Sequence, residues 1–292
     1  MNVFLTGATG FIGSGVLAAL VSAGHSVTAL VRTEDKAASV RRDGVSPVVA
    51  DMRDAEVVRR LAAEADAVIT TASPGDETRA AAESAFADAV LAGLRHGATF
   101  VRTGGVWVHG SGADLTEDGP LAAPRLVAWR EAIDERVMKA PGVRSLLIEP
   151  GVVYGRGKGL PNVVVSAATA GDPAALVLIG PGTQHWTTIH VDDLADLYVT
   201  ALDHGEPGSR YLGVSGQNPT VRELGEAASH RRGLNGRVVP EDAAETVARL
   251  GDFGEALLLD QQATGEKARA LPWKPTRPSL LDVIASGGYD PA

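Results

Sequence analysis

Residues 1–13, Met1-Asn-Val-Phe-Leu-Thr-Gly-Ala-Thr-Gly-Phe-Ile-Gly13, constrain the fold more than any other stretch. An apolar run of strand type ends in glycines at 7, 10 and 13 and passes directly into a helical pattern. Gly7 suits a tight turn off the strand, Gly10 lets a pyrophosphate approach the backbone, and Gly13 lets the new helix pack close on the sheet. The amino terminus of that helix then presents unpaired N–H groups and the positive end of its dipole to an anion. A glycine triplet alone is a weak signal in a chain with 34 glycines, and a bare structural turn is the alternative. Context supplies the rest: Val3 to Leu5 precede it, Val16, Leu17, Leu20 and Val21 form one helical face after it, and a second strand is expected at 27–31.

The alternation continues. A helix ends at 41–44, a strand follows at 47–50, and residues 54–63 have helical period. A strand at 67–71, a long alanine-rich helix at 76–95 closed by Gly97, and a fifth strand from Thr99 come next. Strands alternating with helices predict an α/β chain with a doubly wound parallel sheet of Rossmann type. Ligands of such folds lie outside the carboxyl ends of the strands. That rule selects residues 7–12 (Gly7, Thr9, Gly10, Phe11 and Ile12 among them), Arg32 and Thr33, Asp51 and Met52, Ala72 and Ser73, and Thr103 to Gly105.

A further helix is expected at 126–140 and a strand at 143–148. After Pro150 the sequence is richer in glycine and less regular. Residues 1–150 therefore read as the dinucleotide-binding domain. Residues 151–292 read as a mixed α/β region that completes the sheet and forms a smaller substrate lobe. Within it a helix at 191–202 is introduced by Asp192 and Asp193, and Thr220 with Glu223 has capping-box spacing. The proline-ordered segment 271–278 reads as packed surface with Trp273 buried.

Composition excludes several classes. With no cysteine there are no disulfides, thiolate metal sites or cysteine nucleophiles. A net charge of −9 argues against generic nucleic-acid or anionic-membrane binding. No run approaches a membrane helix, and Met1 leads at once into strand-like sequence without a basic leader, so a cytoplasmic location is expected. His185 is isolated and no H-E-x-x-H spacing occurs, so no metal is expected.

The ordered motifs Thr6-Gly-Ala-Thr-Gly-Phe-Ile-Gly13, Asp51-Met52, Thr103-Gly-Gly-Val-Trp-Val-His-Gly110, Glu149-Pro-Gly-Val-Val-Tyr-Gly155 and His190-Val-Asp-Asp-Leu-Ala195 resemble the extended and atypical branches of the short-chain dehydrogenase/reductase superfamily, which includes nucleotide-sugar epimerases and dehydratases. The likeness covers nearly the whole chain. It implies that Asp51 and Met52 meet adenine, that Pro150, Gly151 and Val152 run past the nicotinamide, and that residues 190–195 are mainly structural. The departures are as informative. The family's catalytic serine falls on Gly105, its tyrosine on Leu126 and its lysine roughly on Arg130, so the usual proton donor is missing. The one literal tyrosine-x-x-x-lysine match, Tyr154 to Lys158, contains Gly155 and Gly157, which disfavour the helix that puts i and i+4 on one face.

Arg32 stands 19 residues after Gly13, where an acid would bond the ribose of NAD; a guanidinium there holds a 2′-phosphate, with Lys36 in support. NADP is the expected cofactor. The plain alternative is a solvated arginine opposed by Glu34 and Asp35. Thr103, His109 and Arg130 are the polar candidates for chemistry. Histidine titrates near neutrality, whereas arginine keeps its proton. Each also has an ordinary reading: Thr103 bonding loop backbone, His109 replacing a structural tyrosine, Arg130 pairing with Glu131 or Asp134. Trp107, Trp129, Tyr154 and Trp186 are candidate walls of an apolar substrate pocket, or core. Two functions follow: an NADP(H)-dependent oxidoreductase acting on a carbonyl or alcohol of a small, partly apolar metabolite, or an NADP(H)-binding protein without redox turnover, whether a sensor or a fold reused for isomerisation or cyclisation. A small-molecule substrate is expected in the first case, and a homodimer is left open.

Overall fold

The computed structural model describes residues 1–290. Strand β1 (Asn2–Thr6) leads into α1 (Phe11–Ser22). Then follow β2 (Ser26–Val31), α2 (Glu34–Val40), β3 (Val45–Val49), α3 (Ala55–Glu64), β4 (Ala67–Thr70), α4 (Arg79–Gly93), β5 (Thr99–Thr103) and α5 (Arg130–Met138). Side chains cap two of these helices: Thr33 accepts from Lys36 N and Asp54 from Val57 N, each satisfying a backbone donor that the first turn leaves open.

The seven-stranded parallel sheet has the order Ser209–Gly213, Arg144–Pro150, β5, β4, β1, β2, β3. The order reverses between β1 and β4, which places the topological switch point at the glycine turn. Val3, Phe4 and Leu5 are fully buried because helices cover both faces. One layer packs α1 and the helix Val191–His204 through Val16, Leu20, Leu194 and Tyr198; the other packs α3, α4 and α5 through Leu61, Phe86, Val90 and Val137.

Past Pro150 the chain divides its work. The strand Ser209–Gly213 and the helix Val191–His204 return to the main sheet, while Val152–Gly155, Lys158–Gly159 and Thr188–His190 form a separate small sheet. That sheet shares a third core with the helices Val221–Arg231 and Leu280–Ala285. The capping box at Thr220 and Glu223 is formed. Trp273 is buried and its indole N–H donates to Asp193 O at 2.9 Å.

One helix start differs from the sequence expectation. The helix at 126–140 begins only at Arg130. The Trp129 indole donates to Leu126 O at 3.0 Å, occupying the carbonyl that an α-helical Arg130 N–H would use, and that N–H bonds Val127 O at 2.9 Å instead. The helix expected at 191–202 starts at Val191 with Asp192 and Asp193 in its first turn, and its N-cap is His190, whose Nδ1 accepts from Asp192 N at 3.1 Å. Asp193 also holds the proline segment, accepting from Thr276 N and Arg277 N, both at 3.0 Å. Among the described residues no helix is long and apolar enough to cross a membrane.

Candidate active site in a two-part cleft

The glycine turn is built by contact as much as by conformation. Gly7 has φ +80°, and a Cβ on Gly13 would lie 2.0 Å from Gly7 O, so the first turn of α1 sits against the strand end only because both residues lack side chains. Gly10 N donates to Gly7 O at 2.7 Å and closes the loop. Gly10 is the N-cap of α1, no side chain caps it, and the first turn has no acid. The helix N–H groups are therefore open to an anion. This cradle fits the pyrophosphate of a dinucleotide.

Two cavities meet at Thr71, Ala72 and Ser73 and form one cleft along the strand ends. The outer one, about 320 Å³, lies over β1, β2 and β3 and is lined by Gly7, Thr9, Gly10, Arg32, Lys36, Asp51 and Met52. Its cations are unequal. Arg53 is committed, reaching Asp51 at 3.5 Å and Asp76 at 3.7 Å and donating to Thr78 Oγ1. Arg32 and Lys36 make no ion pair among the described residues, with Glu34 and Asp35 included, and both face this cavity.

The inner cavity, about 400 Å³, lies over β4, β5 and the strand Arg144–Pro150. Phe11, Ile12, Val106, Trp107, Val127 and Leu160 make it largely apolar, and Ala72, Pro150, Gly151 and Val152 complete the wall. Thr103 and Arg130 reach it from β5 and the start of α5. Arg130 Nη1 donates to Thr103 O at 3.3 Å and Gly104 O at 3.2 Å, fixing the guanidinium at the strand end. Burial lowers its pKa from the free value, against the opposing charge of Glu83.

Several expected site residues are placed elsewhere, and each has a physical reason. His109 is buried outside the cavity wall, with Nε2 3.2 Å from Glu149 Oε2, inside a network that also takes Arg210 at 2.9 Å from Glu149 Oε1. The structure does not bring His109 to the inner cavity, where the sequence leads us to expect a proton donor. Thr103 lines the cavity, but its hydroxyl is spent on Thr70 O and Tyr198 OH, both at 2.5 Å. Tyr154 and Trp186 belong to the third core: Tyr154 OH donates to Pro278 O at 2.8 Å and the Trp186 indole to Leu257 O at 3.0 Å. Burial pushes the Tyr154 phenol well above its usual range, which further opposes proton donation. Trp129 stacks under Arg130, 4.9 Å from ring centroid to guanidinium carbon, and buttresses it without lining the cavity. Of the four aromatic candidates, Trp107 alone reaches the wall.

Sequence reasoning missed Glu83. This residue of α4 is 4 % exposed, lines the inner cavity, and pairs with Arg102 Nη2 at 3.2 Å. Arg102 is also buried and donates through Nε to Asp134, whose carboxyl burial pushes upward against that charge. The signal was present. Glu83 falls in register i, i+3, i+4, i+7 with Phe86, Ala87 and Val90, a carboxylate on an apolar stripe, and Arg102 interrupts a buried strand. No group of three or more His, Cys, Asp or Glu suited to a metal occurs among the described residues.

The family model described as NAD(P)H-binding matches residues 7–205. An uncharacterized protein of Schizosaccharomyces pombe is 29% identical over 99% of this chain and 100% of its own length. A 3-diazoavenalumate denitrifying reductase of Streptomyces sp is 29% identical over 97% of this chain and 99% of its own. Among solved structures, a human epimerase family protein with NADPH superposes with a TM-score of 0.73 at 21% identity, covering 99% of this chain and 100% of that one.

Proposed function

The chain belongs to the NAD(P)H-binding family, and from that premise we propose that it is an NADP(H)-dependent oxidoreductase acting on a carbonyl or alcohol of a small, partly apolar metabolite. The observation that carries this reading is the polarity of the cleft from end to end. Two uncommitted cations, Arg32 and Lys36, lie at the outer end, and an apolar chamber with Arg130 in its wall lies at the inner end. A reductase among the full-length relatives supports the reaction class.

The dinucleotide, when bound, supplies or accepts the hydride. The chain's own residues bind and orient. The open N–H groups at the start of α1 hold the pyrophosphate, and Arg32 with Lys36 takes the 2′-phosphate through charge-assisted bonds. Trp107, Val152 and Leu160 make the chamber wall apolar, which strengthens the field of Arg130 there. That charge favours a substrate oxygen that gains negative charge. Because the Thr103 hydroxyl is spent and His109 lies outside the wall, the proton comes from water admitted to the chamber.

The test is NADPH consumption, followed by absorbance, across a panel of small ketones and aldehydes of graded apolar size. Turnover with several members and little with charged ones is expected. The spent side-chain donors also favour the second reading, binding without redox turnover. NADPH binding with no reduction anywhere in the panel would establish that reading instead.

A further inference from the structure

Four glycines line the inner cavity, and the fold accounts for three of them. A Cβ on Gly104 would stand 2.9 Å from Glu149 Cγ, in a buried side chain whose two carboxylate oxygens are held by His109 and Arg210. One on Gly151 would stand 2.5 Å from Thr187 O, and one on Gly159 would stand 2.2 Å from Val153 O. Gly105 is different. Its φ of 177° and ψ of 142° are extended backbone that any residue adopts. Beyond its chain neighbours, a Cβ there would meet nothing within 4 Å among the described residues. Neither conformation nor packing asks for glycine, and glycine loses more backbone entropy on folding than alanine does. What the missing side chain leaves is space at the cavity wall.

That space is fixed rather than slack. Just after Gly105 the chain is clamped by the buried Gln261, whose Nε2 donates to Val106 O at 2.9 Å and to Gly110 O at 2.7 Å. Trp107 packs edge-on against Phe253, with ring centroids 6.2 Å apart. Closing the gap by moving this segment would break those contacts. Just before Gly105, Arg130 Nη1 is tied to Gly104 O at 3.2 Å, so a substrate oxygen drawn to that charge sets its carbonyl carbon beside the gap. The neighbouring wall residues Val106 and Trp107 are apolar, so the group they accept is a hydrocarbon one. We propose that Gly105 is a specificity-determining residue, whose gap receives a branch or ring carried on the carbon next to the substrate carbonyl. The substrate class is then hindered ketones rather than slim, straight-chain ones. This rests on the oxidoreductase reading above.

Two measurements test it. Thermal unfolding compares Gly105→Ala with Gly104→Ala: the first should keep or raise the wild-type Tm, and the second should lower it. A lowered Tm in Gly105→Ala overturns the proposal, because the glycine then serves the fold. The second measurement is reduction by NADPH of methyl ketones whose other group is ethyl, isopropyl or tert-butyl. Gly105→Val should cut the ratio of kcat/KM for the tert-butyl over the ethyl ketone by about ten-fold or more, the scale of a methyl group that no longer fits. Gly105→Ala should move the ratio the same way by less, which keeps the test decisive if the valine variant does not fold. A wild-type ratio in the variants overturns the proposal and leaves the oxidoreductase reading standing. If the unaltered protein binds NADPH but reduces none of the ketones, that reading fails and the assignment of Gly105 falls with it.

Discussion

The two halves of the cleft are built on opposite principles. In the outer half the groups that meet a ligand are local: a glycine turn, an uncapped helix start, and two exposed or half-buried cations at the end of β2 and in α2. In the inner half the polar groups come from α4, β5 and α5, are mostly buried, and are mostly spent on one another. Binding of charge therefore needs little beyond backbone and solvent-facing side chains. In the inner half, few polar atoms remain once the packed network has formed.

The sharpest way to break the contrast is at the backbone. Gly13→Ala puts a Cβ 2.0 Å from Gly7 O and 2.5 Å from Thr71 Oγ1, with backbone on one side. It should destabilise the protein by about 3 kcal/mol or more and abolish NADPH binding. Denaturant unfolding checks the first and calorimetry the second. Near wild-type values in both would show that α1 shifts freely, and that the turn is not the rigid base of the outer half. Next in size, Arg32→Ala should weaken NADPH by roughly ten-fold or more while leaving NADH nearly unchanged. A parallel loss for both cofactors would mean that Arg32 supports the loop rather than the 2′-phosphate.

His109→Gln probes the inner half. With His109 buried against Glu149, the variant should lose about 1–3 kcal/mol of stability and keep the wild-type pH profile of kcat/KM. A flattened profile would return His109 to the chemistry. The smallest effect is expected at His190, whose pKa is held below its ordinary value chiefly by burial, with Asp192 and Asp193 opposing. The neutral ring caps its helix, so the unfolded chain binds the proton more readily. That contribution is complete above about pH 6.5 and is lost as pH falls through this value toward the depressed one. Asn caps without titrating. His190→Asn should therefore lose less stability on acidification than the wild type, as measured by thermal unfolding over a pH series; identical acid limbs would show that His190 does not report on its burial.

What was legible in the sequence follows the same divide. The glycine spacing, the strand-end positions of Arg32 and Asp51, and the apolar faces of α1 and α3 depend on residues close together in the chain, and local pattern displays them. The inner half depends on meetings across long separations. Glu83 finds Arg102 19 residues away and His109 finds Glu149 40 residues away, and neither distance leaves a periodic trace. Arg130 was placed near the reacting end, but the Trp129 indole that delays its helix is a side-chain event that propensity does not encode. Tyr154 and Trp186 have the composition of a pocket wall and the location of a core, which only the return of the C-terminal segment past Pro278 decides.

On the proposed function, the free cations of the outer half select the phosphorylated dinucleotide. Titration of the unaltered protein with NADPH and NADH in the same buffer tests it most directly. Charge-assisted bonds to Arg32, supported by Lys36, predict NADPH tighter by about ten-fold or more, with the difference shrinking as salt is raised. Equal affinities, or a preference for NADH, would contradict the account.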